Sequence, residues 1–287
     1  MSKVKVGIVG FGFVGRAIAR GLYLHTDLKI YDKYNDTFKD TADEVANQDF
    51  IFMCLPTPTT STGYQDLSYM DDGFKIMNDR ASDTRIILLK STVLPGTARE
   101  YAHRYPKHHV ISNPEFLTER QADLDFINSA RILLGGNLRD CLTHCWDTLY
   151  KPLFSHTKHF FTSWEGAELA KYVSNAFFAT KISFVNEIYD LCAELGVPYN
   201  ELKSMWLADG RVGNSHHEVP GHDGHRGYGG KCFPKDVKAI VGLGKELGLP
   251  MSVLTAVDEL NERVRDVKDW KDIPGAEDKS FEEDDNL

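Results

Sequence analysis

The junction between the first apolar run and the first helical pattern constrains this chain more than any other stretch. Val6-Gly7-Ile8-Val9 leads straight into Gly10-Phe11-Gly12-Phe13-Val14-Gly15, a G-x-G-x-x-G spacing at a strand-to-helix turn. Glycines at those positions allow a tight turn, let the backbone approach a pyrophosphate and let the helix pack closely on its strand. The spacing alone is a weak signal, because any glycine turn can produce it. Its context is stronger: a second strand-like run ends at Tyr31-Asp32, an acid placed about 20 residues on, where it pairs with ribose hydroxyls and repels a 2′-phosphate. Lys33 next door softens that preference. A dinucleotide site selective for NAD over NADP is expected, held by Gly10, Gly12, Phe13, Val14, Gly15 and Asp32.

The first half of the chain repeats this alternation. Val4–Val9, Leu28–Tyr31, Phe50–Cys54, Arg85–Leu89, His109–Ile111 and Arg131–Leu134 read as strands, with helical patterns near 13–25, 68–80, 97–104 and 138–149. That order predicts a parallel sheet wrapped by helices over residues 1–162. From Trp164 the texture changes. Glu165 to Leu195 contains no proline, and its one glycine, Gly166, is near the start, so it reads as a single long helix stopped by Gly196 and Pro198. The centre, Ala176-Phe177-Phe178-Ala179 through Ile182, Phe184 and Val185, is apolar nearly all round, which predicts burial on most sides with a second subunit as cover. Further helices are expected at 199–207, 234–247 and 251–268, giving an all-α domain over 163–270.

Charge and cysteine usage exclude several function classes. The net charge is −9, and residues 271–287 hold seven acids against Lys271 and Lys279, so that segment reads as an acidic, disordered tail. The segment carries −5, which leaves the body at −4, with no electrostatic case for nucleic acid or an acidic membrane surface. Cys54, Cys141, Cys145, Cys192 and Cys232 form no CxxC pair and no metal-like cluster, which predicts free thiols in a reducing compartment, the cytoplasm. No apolar run approaches a membrane-spanning length, and the N-terminus has no signal-peptide pattern.

Candidate chemistry gathers at strand ends and on the long helix. Cys54-Leu55-Pro56-Thr57-Pro58 follows the third strand and Lys90-Ser91-Thr92-Val93 the fourth, positions where open α/β sheets bind ligands. A Pro-rich loop and a helix cap are the plain readings of the same two segments. Asn113-Pro114-Glu115-Phe116-Leu117 follows the fifth strand, so Glu115 is either a base at the ligand edge or a surface loop acid. Lys171 and Asn175 lie four apart and share a helix face, where an ammonium beside an amide can stabilise an alkoxide or oxyanion. The richest segment is Gly227-Tyr228-Gly229-Gly230-Lys231-Cys232-Phe233-Pro234-Lys235-Asp236. It sets one thiol after a glycine-rich turn, with Pro234 where a helix begins; a thiol at a helix N-terminus is biased toward thiolate, and Lys231 adds to that bias. A small buried cysteine in a tight turn is the alternative reading.

Gly10–Gly15, Pro56-Thr57-Pro58, Lys90-Ser91-Thr92, Asn113–Leu117, Lys171 with Asn175, Asp209-Gly210-Arg211-Val212-Gly213 and Gly227–Asp236 occur in the order seen in nucleotide-sugar dehydrogenases. Over about residues 3–268 the chain resembles the UDP-glucose 6-dehydrogenase and GDP-mannose dehydrogenase family. The resemblance implies an α/β fold with a Rossmann-type parallel sheet domain followed by an all-α central dimerisation domain. It also implies oxidation of a sugar primary alcohol to a carboxylate with two NAD per turnover, through a thiohemiacetal and then a thioester on Cys232. In that scheme Lys171 and Asn175 stabilise the oxyanion, Asp236 orders water and the lysine, Glu115 is a general base and Thr92 holds water. Pro56, Thr57, Thr92 and Glu119 would line the cofactor, and Phe116, Leu117, Gly229 and Arg211 the substrate, Arg211 reaching into the neighbouring subunit of a homodimer.

Two departures from the family pattern stand out. Family members usually carry a third, C-terminal domain that holds much of the nucleotide, and this chain ends where it would begin. Weak nucleotide-sugar binding by a shortened enzyme, a smaller or different substrate, or a separate partner supplying that domain is expected. The segment before the cysteine crowds His216, His217, His222 and His225 around Glu218 and Asp223, in a spacing that fits no standard zinc template, so a solvated, pH-sensitive loop is expected and no metal. The alternative functions are a β-hydroxyacid-type dehydrogenase with a single hydride transfer and a non-catalytic NAD-binding scaffold.

Overall fold

The apolar runs form a seven-stranded sheet in the computed structural model, which describes residues 3–273 and 276 apart from 36, 38, 39, 61 and 62. The strands β1 (Val4–Val9), β2 (Thr26–Tyr31), β3 (Phe50–Met53), β4 (Ile86–Leu89), β5 (His109–Ser112), β6 (Arg131–Gly135) and β7 (Lys158–Thr162) lie in the order β2-β1-β3-β4-β5-β6-β7. β1 to β5 are parallel. β6 and β7 are parallel to each other but meet β5 antiparallel, through Ser112 opposite Gly135, so the sheet is mostly rather than wholly parallel. Its connections carry the helices α1 (Phe13–Leu22), α2 (Ala42–Ala46), α3 (Ser68–Arg80), α4 (Thr97–Arg104), α5 (Ala122–Ile127), α6 (Arg139–Cys145) and α7 (Lys151–Phe154).

Every residue of β3 and β4 is buried, because helices cover both faces. Successive side chains alternate between two cores. Phe50 and Phe52 join Val6, Ile8 and Leu88 on one face, while Ile51 and Met53 join Val9, Ile87 and Leu89 on the other. Each fully buried side chain of this size is worth about 1.5–3 kcal/mol, so these central strands anchor the sheet. Strand order reverses at β1, whose neighbours are β2 and β3, and the crevice beyond the C-terminal ends of β1 and β3 is where such sheets take ligands.

The pattern-based elements differ from the structure where burial is one-sided or the element is short. β7 gives no apolar signal because it is an edge strand with Lys158, His159 and Phe160 exposed. α2 is only five residues long, although its capping box, Thr41 with Glu44, is readable in the sequence. The helix expected over 138–149 runs on through a π-helical turn at Trp146–Tyr150 into α7, which seats Trp146, Leu149 and Tyr150 in the core.

The chain divides into two units, one of 1–57 with 67–171 and one of 58–66 with 172–287. The second is helical: the later part of α8 (Trp164–Leu195), α10 (Phe233–Glu246) and α11 (Ser252–Val264) pack around Ala179, Tyr228, Val237, Val241 and Val257, while α9 (Tyr199–Leu207) packs through Tyr199 on Val185, Cys192 and Val219. α8 ends where Gly196 turns to φ +67 and Val197 N–H reaches back to the Cys192 carbonyl. The short 58–66 segment is pinned by a bridge between Thr59 and Gln65 and by Gly63 at φ +94, where a Cβ would stand 2.6 Å from the Lys238 carbonyl of α10. The expected burial of α8 on most sides is not what the chain provides by itself. Val173, Phe177, Phe184, Leu191 and Leu195 form an exposed apolar stripe, while Ala176, Ala179, Val185 and Cys192 face inward. Among the described residues no helix is long and apolar enough to cross a membrane. The acidic segment 271–287 lies outside the described residues except for 271–273 and 276.

The start of α8 is fixed within the first unit by a buried carboxylate. Glu168 accepts hydrogen bonds from Gly96 N–H at 2.7 Å and Ala98 N–H at 2.8 Å, the open N-terminus of α4, whose own cap Gly96 offers no side chain. Burial pushes this carboxyl up to about 7 against the pull of those two N–H groups. A folded-state value above the unfolded one means that the native protein holds the proton more tightly. Stability from this group is therefore full below the ordinary carboxyl range near 4.5 and falls as pH rises through about 7. Glu168→Gln should flatten the dependence of the urea midpoint on pH across that window; an unchanged slope would remove Glu168 as its source.

Candidate active site

At the C-terminal end of β1 the glycine turn has the shape a pyrophosphate needs. Gly10 sits at φ +88, and a Cβ there would stand 2.5 Å from the Cys54 carbonyl. At Gly15 a Cβ would collide with the Gly10 carbonyl, so the start of α1 packs directly against its own strand. Gly12, the N-cap of α1, has nothing within 4 Å of its Cβ position and no side-chain cap over the helix N-terminus. An open face bounded by unpaired helix N–H groups is an anion cradle, so the residues present fit a dinucleotide. Phe13 and Val14 form the first turn of that helix. Asp32, at the end of β2, accepts from Phe11 N–H at 2.7 Å and Tyr34 N–H at 2.9 Å, which aims its carboxylate at the same turn. Thr57 Oγ1 donates to the Thr92 carbonyl at 2.8 Å, tying the loops after β3 and β4 together, with Pro56 exposed beside them.

The first unit also brings Glu115 and Lys171 together. Lys171 Nζ lies 2.9 Å from Glu115 Oε1, with side-chain exposures of 4% and 6%, so neither is a surface charge. Glu115 stays aimed because its other oxygen accepts Leu117 N–H at 2.5 Å. Phe116 lies under two cations, Arg131 at 3.8 Å and Lys171 at 5.8 Å from its ring centre. Lys90, at the end of β4, is buried as well; its Nζ donates to the Pro114 carbonyl at 3.4 Å, and burial holds it down to about 8. Glu119 begins a 3-10 turn at Glu119–Gln121 and is exposed, with extended chain rather than a helical turn between it and Glu115.

In the second unit Cys232 is the N-cap of α10 and is half-buried. Burial pushes Cys54 up to about 12, Cys141 to about 11 and Cys145 well above its ordinary value, which disfavours the thiolate at all three. Asp236, in the first turn of α10, is 1% exposed. Its oxygens are taken by Asn175 Nδ2 at 2.6 Å and Lys235 Nζ at 2.5 Å. Lys235 is buried too and supplies a counter-charge.

The glycine turn before the thiol is moulded by α11 and the short turn after it. Asn261 accepts Tyr228 N–H at 2.7 Å and donates to the Tyr228 carbonyl at 3.0 Å. A Cβ on Gly227 (φ +67) would collide with Asn261, and one on Gly229 with Arg265 and Asp269. Asp269 accepts Gly230 N–H at 2.9 Å. Arg211 is exposed and, in its own chain, pairs with Asp209. The histidine-rich segment is not solvated throughout. His217 is 7% exposed and bonded to Asn214, while His216 stacks on Phe178 at 4.1 Å and packs near Phe233. Among the described residues no three His, Cys, Asp or Glu side chains converge as a metal site requires.

Removing one partner of a buried ion pair leaves the other charge desolvated, at a cost of about 3–5 kcal/mol. Asp236→Ala should lose stability on that scale in urea unfolding, and Asp236→Asn less, because an oxygen remains for the Lys235 ammonium. Equal, small losses for both would mean that Lys235 finds water.

Residues 28–154 match the NAD binding domain, and residues 165–263 the central domain, of one family of dehydrogenases. The chain is 32% identical over 233 residues to a UDP-glucose 6-dehydrogenase of Bacillus subtilis, a match covering 79% of this chain and 49% of that protein. With a UDP-glucose 6-dehydrogenase of Pseudomonas aeruginosa it shares 34% identity over 240 residues, covering 79% and 51%. The chain thus spans about half the length of the curated relatives it matches. Among solved structures it is similar to a UDP-glucose dehydrogenase from the archaeon Pyrobaculum islandicum, with a TM-score of 0.81 at 29% identity, covering 91% of this chain and 68% of that one. A 3-hydroxyisobutyrate dehydrogenase of Mycobacterium tuberculosis, at 16% identity and a TM-score of 0.71 over 92% of this chain and 94% of that one, shares the fold. With both domain models matched in order along it, the chain belongs to the UDP-glucose/GDP-mannose dehydrogenase family.

Proposed function

We propose that this chain oxidises the primary alcohol of a nucleotide sugar to a carboxylate, of the UDP-glucose to UDP-glucuronate type, with Cys232 as covalent nucleophile. The observation that carries the reading is the thiol at the N-cap of α10, one turn before a buried Asp236 held by Asn175 and Lys235. A single alcohol-to-aldehyde oxidation has no use for such a thiol. Aldehyde-to-acid oxidation does, because an aldehyde must gain an oxygen or sulfur substituent before it can lose hydride.

NAD, bound at Gly10–Gly15 and Asp32, supplies the hydride acceptor for both oxidations. The chain's own residues handle protons and charge. Glu115 takes the hydroxyl proton as the alcohol carbon loses hydride, and the Lys171 ammonium at its side stabilises the developing alkoxide. Because Lys171 and Glu115 pair before substrate arrives, a substrate oxygen enters by sharing the ammonium. The Cys232 sulfur then adds to the aldehyde carbon, giving a thiohemiacetal whose oxyanion Lys171 and Asn175 stabilise. Loss of the second hydride from that carbon gives the thioester. Water held by Thr92 and Asp236 attacks it, the carbon–sulfur bond breaks, and carboxylate and thiolate are released. Phe116, Leu117 and Gly229 face the sugar in this reading. A reducing, cytoplasmic setting suits a mechanism that needs a free thiolate.

A second copy of the chain is proposed to cover the α8 stripe, bringing Arg211 to the neighbouring substrate. Support comes from the stripe's length, from Val173 to Leu195, and from Arg211 being exposed beside Asp209.

The test is stoichiometric. Protein incubated with NAD and a panel of sugar nucleotides should give two NADH per carboxylate formed, and Cys232→Ala should cut that turnover by at least ~1,000-fold. One NADH per product, unaffected by Cys232→Ala, would instead establish a single-hydride dehydrogenase of the β-hydroxyacid type. NAD binding with no turnover of any sugar would leave a scaffold. Separately, Phe177→Glu should convert a dimer to monomer in sedimentation, since an unpaired charge at a buried interface costs several kcal/mol; a sedimentation profile unchanged by the substitution would place the interface elsewhere.

A further inference from the structure

Arg265 is one of the most deeply buried charges in the second unit, with a side-chain exposure of 1%, and no step of the chemistry uses it. Its guanidinium has four partners. Nη2 pairs with Asp223 at 2.8 Å and with Asp269 at 3.0 Å; Nε donates to the Val267 carbonyl at 2.9 Å, and Nη1 to the Arg226 carbonyl at 3.4 Å. Asp223 and Arg226 belong to the histidine-rich segment, while Asp269 accepts Gly230 N–H, two residues before the thiol. Gly229 passes so close to the pair that any Cβ there would strike both Arg265 and Asp269. One buried cation thus joins the histidine-rich segment to the turn that presents Cys232.

We propose that Arg265 and Asp269 are positioning residues for Cys232, bracing the Gly229-Gly230 turn so that the sulfur is held at the N-terminus of α10. The inference rests on Cys232 being the nucleophile. Its physical basis is the flexibility of the turn: Gly227 and Gly230 lie at φ +67 and +73, and glycine backbone has the most freedom to lose. Without an external template the turn samples other conformations, and the thiol is no longer held at the N-terminus of α10, whose positive end favours thiolate. Asp269 supplies the template on the turn side, and Arg265 fixes Asp269. Arg265 is fixed in turn by Asp223, so the histidine-rich segment takes part in presenting the thiol.

Alkylation of Cys232 by iodoacetamide, followed by peptide mapping in the full chain, reads the thiol directly without any turnover. Asp269 is the residue to change, because its side chain is 33% exposed and its loss does not empty the core as loss of Arg265 would. A ~1 Å misplacement can cost ~100-fold in a reacting group, and a partial loosening is expected to cost about tenfold. Asp269→Ala should therefore alkylate about tenfold more slowly at neutral pH, with the pH profile of the reaction moved upward. Its kcat should fall in parallel while KM for NAD stays put. Asp269→Asn, which keeps an oxygen for Gly230 N–H but not the charge opposite Arg265, should fall between it and the wild type, and it carries the test alone if the alanine variant does not fold. Wild-type alkylation rates and pH profiles in a folded Asp269 variant would overturn the proposal. If the nucleophile reading is what fails, Cys232→Ala keeps full turnover, while alkylation of the Asp269 variants still reports on the brace.

Discussion

A carboxylate that is 1% exposed persists only where its charge is answered, and the second unit is organised around answering that of Asp236. Its partners come from different parts of the chain. Asn175 reaches from α8 and Lys235 from the same turn of α10, so the bonds at 2.6 and 2.5 Å fix the start of α10 against the long helix. That start is also where Cys232 stands as N-cap. The arrangement is costly for folding, because two desolvated charges and an amide are spent where apolar packing would serve as well. Position is what it secures: the thiol, the amide and the acid become one rigid group.

The first unit makes the same trade with Glu115 and Lys171, and Lys90 adds a second buried ammonium, bonded to the Pro114 carbonyl. Stability in this unit comes from elsewhere, from the two apolar cores flanking β3 and β4. The division of labour follows the geometry of a parallel sheet. Strand interiors hold Phe50, Ile51, Phe52 and Met53, while the C-terminal strand ends release the chain into loops that carry Gly10, Thr57, Thr92 and Glu115.

Much of this was legible in the sequence, for identifiable reasons. β3 and β4 were readable because strands buried on both faces are continuous apolar runs, and the helices at 68–80, 97–104 and 199–207 because their helical patterns match the observed bounds. β7 was not, because an edge strand needs no apolar pattern to pair. The β5–β6 reversal was equally silent, since it rests on one opposed pair, Ser112 and Gly135. Cys232, Asp236, Lys171 and Asn175 were nameable from motif order. Asn261, Arg265 and Asp269 were not: they lie more than thirty residues from the turn they mould, and nothing in an asparagine or an arginine on a terminal helix announces a tertiary partner. Lys235 was in plain view beside Asp236, but adjacent charges usually point apart, and only coordinates reveal that these two meet.

The glycines explain why the two ends of the chemistry depend on different kinds of support. Gly10 and Gly15 are required by near neighbours in sequence and sheet, the Cys54 and Gly10 carbonyls, so that turn is specified by the secondary structure that generates it. Gly227 and Gly229 are required by side chains of α11 and of the short turn beyond it, so the turn before the thiol is specified only once the last helix has docked. The dinucleotide turn is thus shaped by β1, α1 and the loop after β3, whereas the thiol turn is shaped by side chains distant from it in sequence. A site built that way is sensitive to substitutions far from the reacting atoms. The segment after α11 therefore takes part in shaping the cysteine turn, since the Asp269 carboxylate that holds Gly230 is contributed from there.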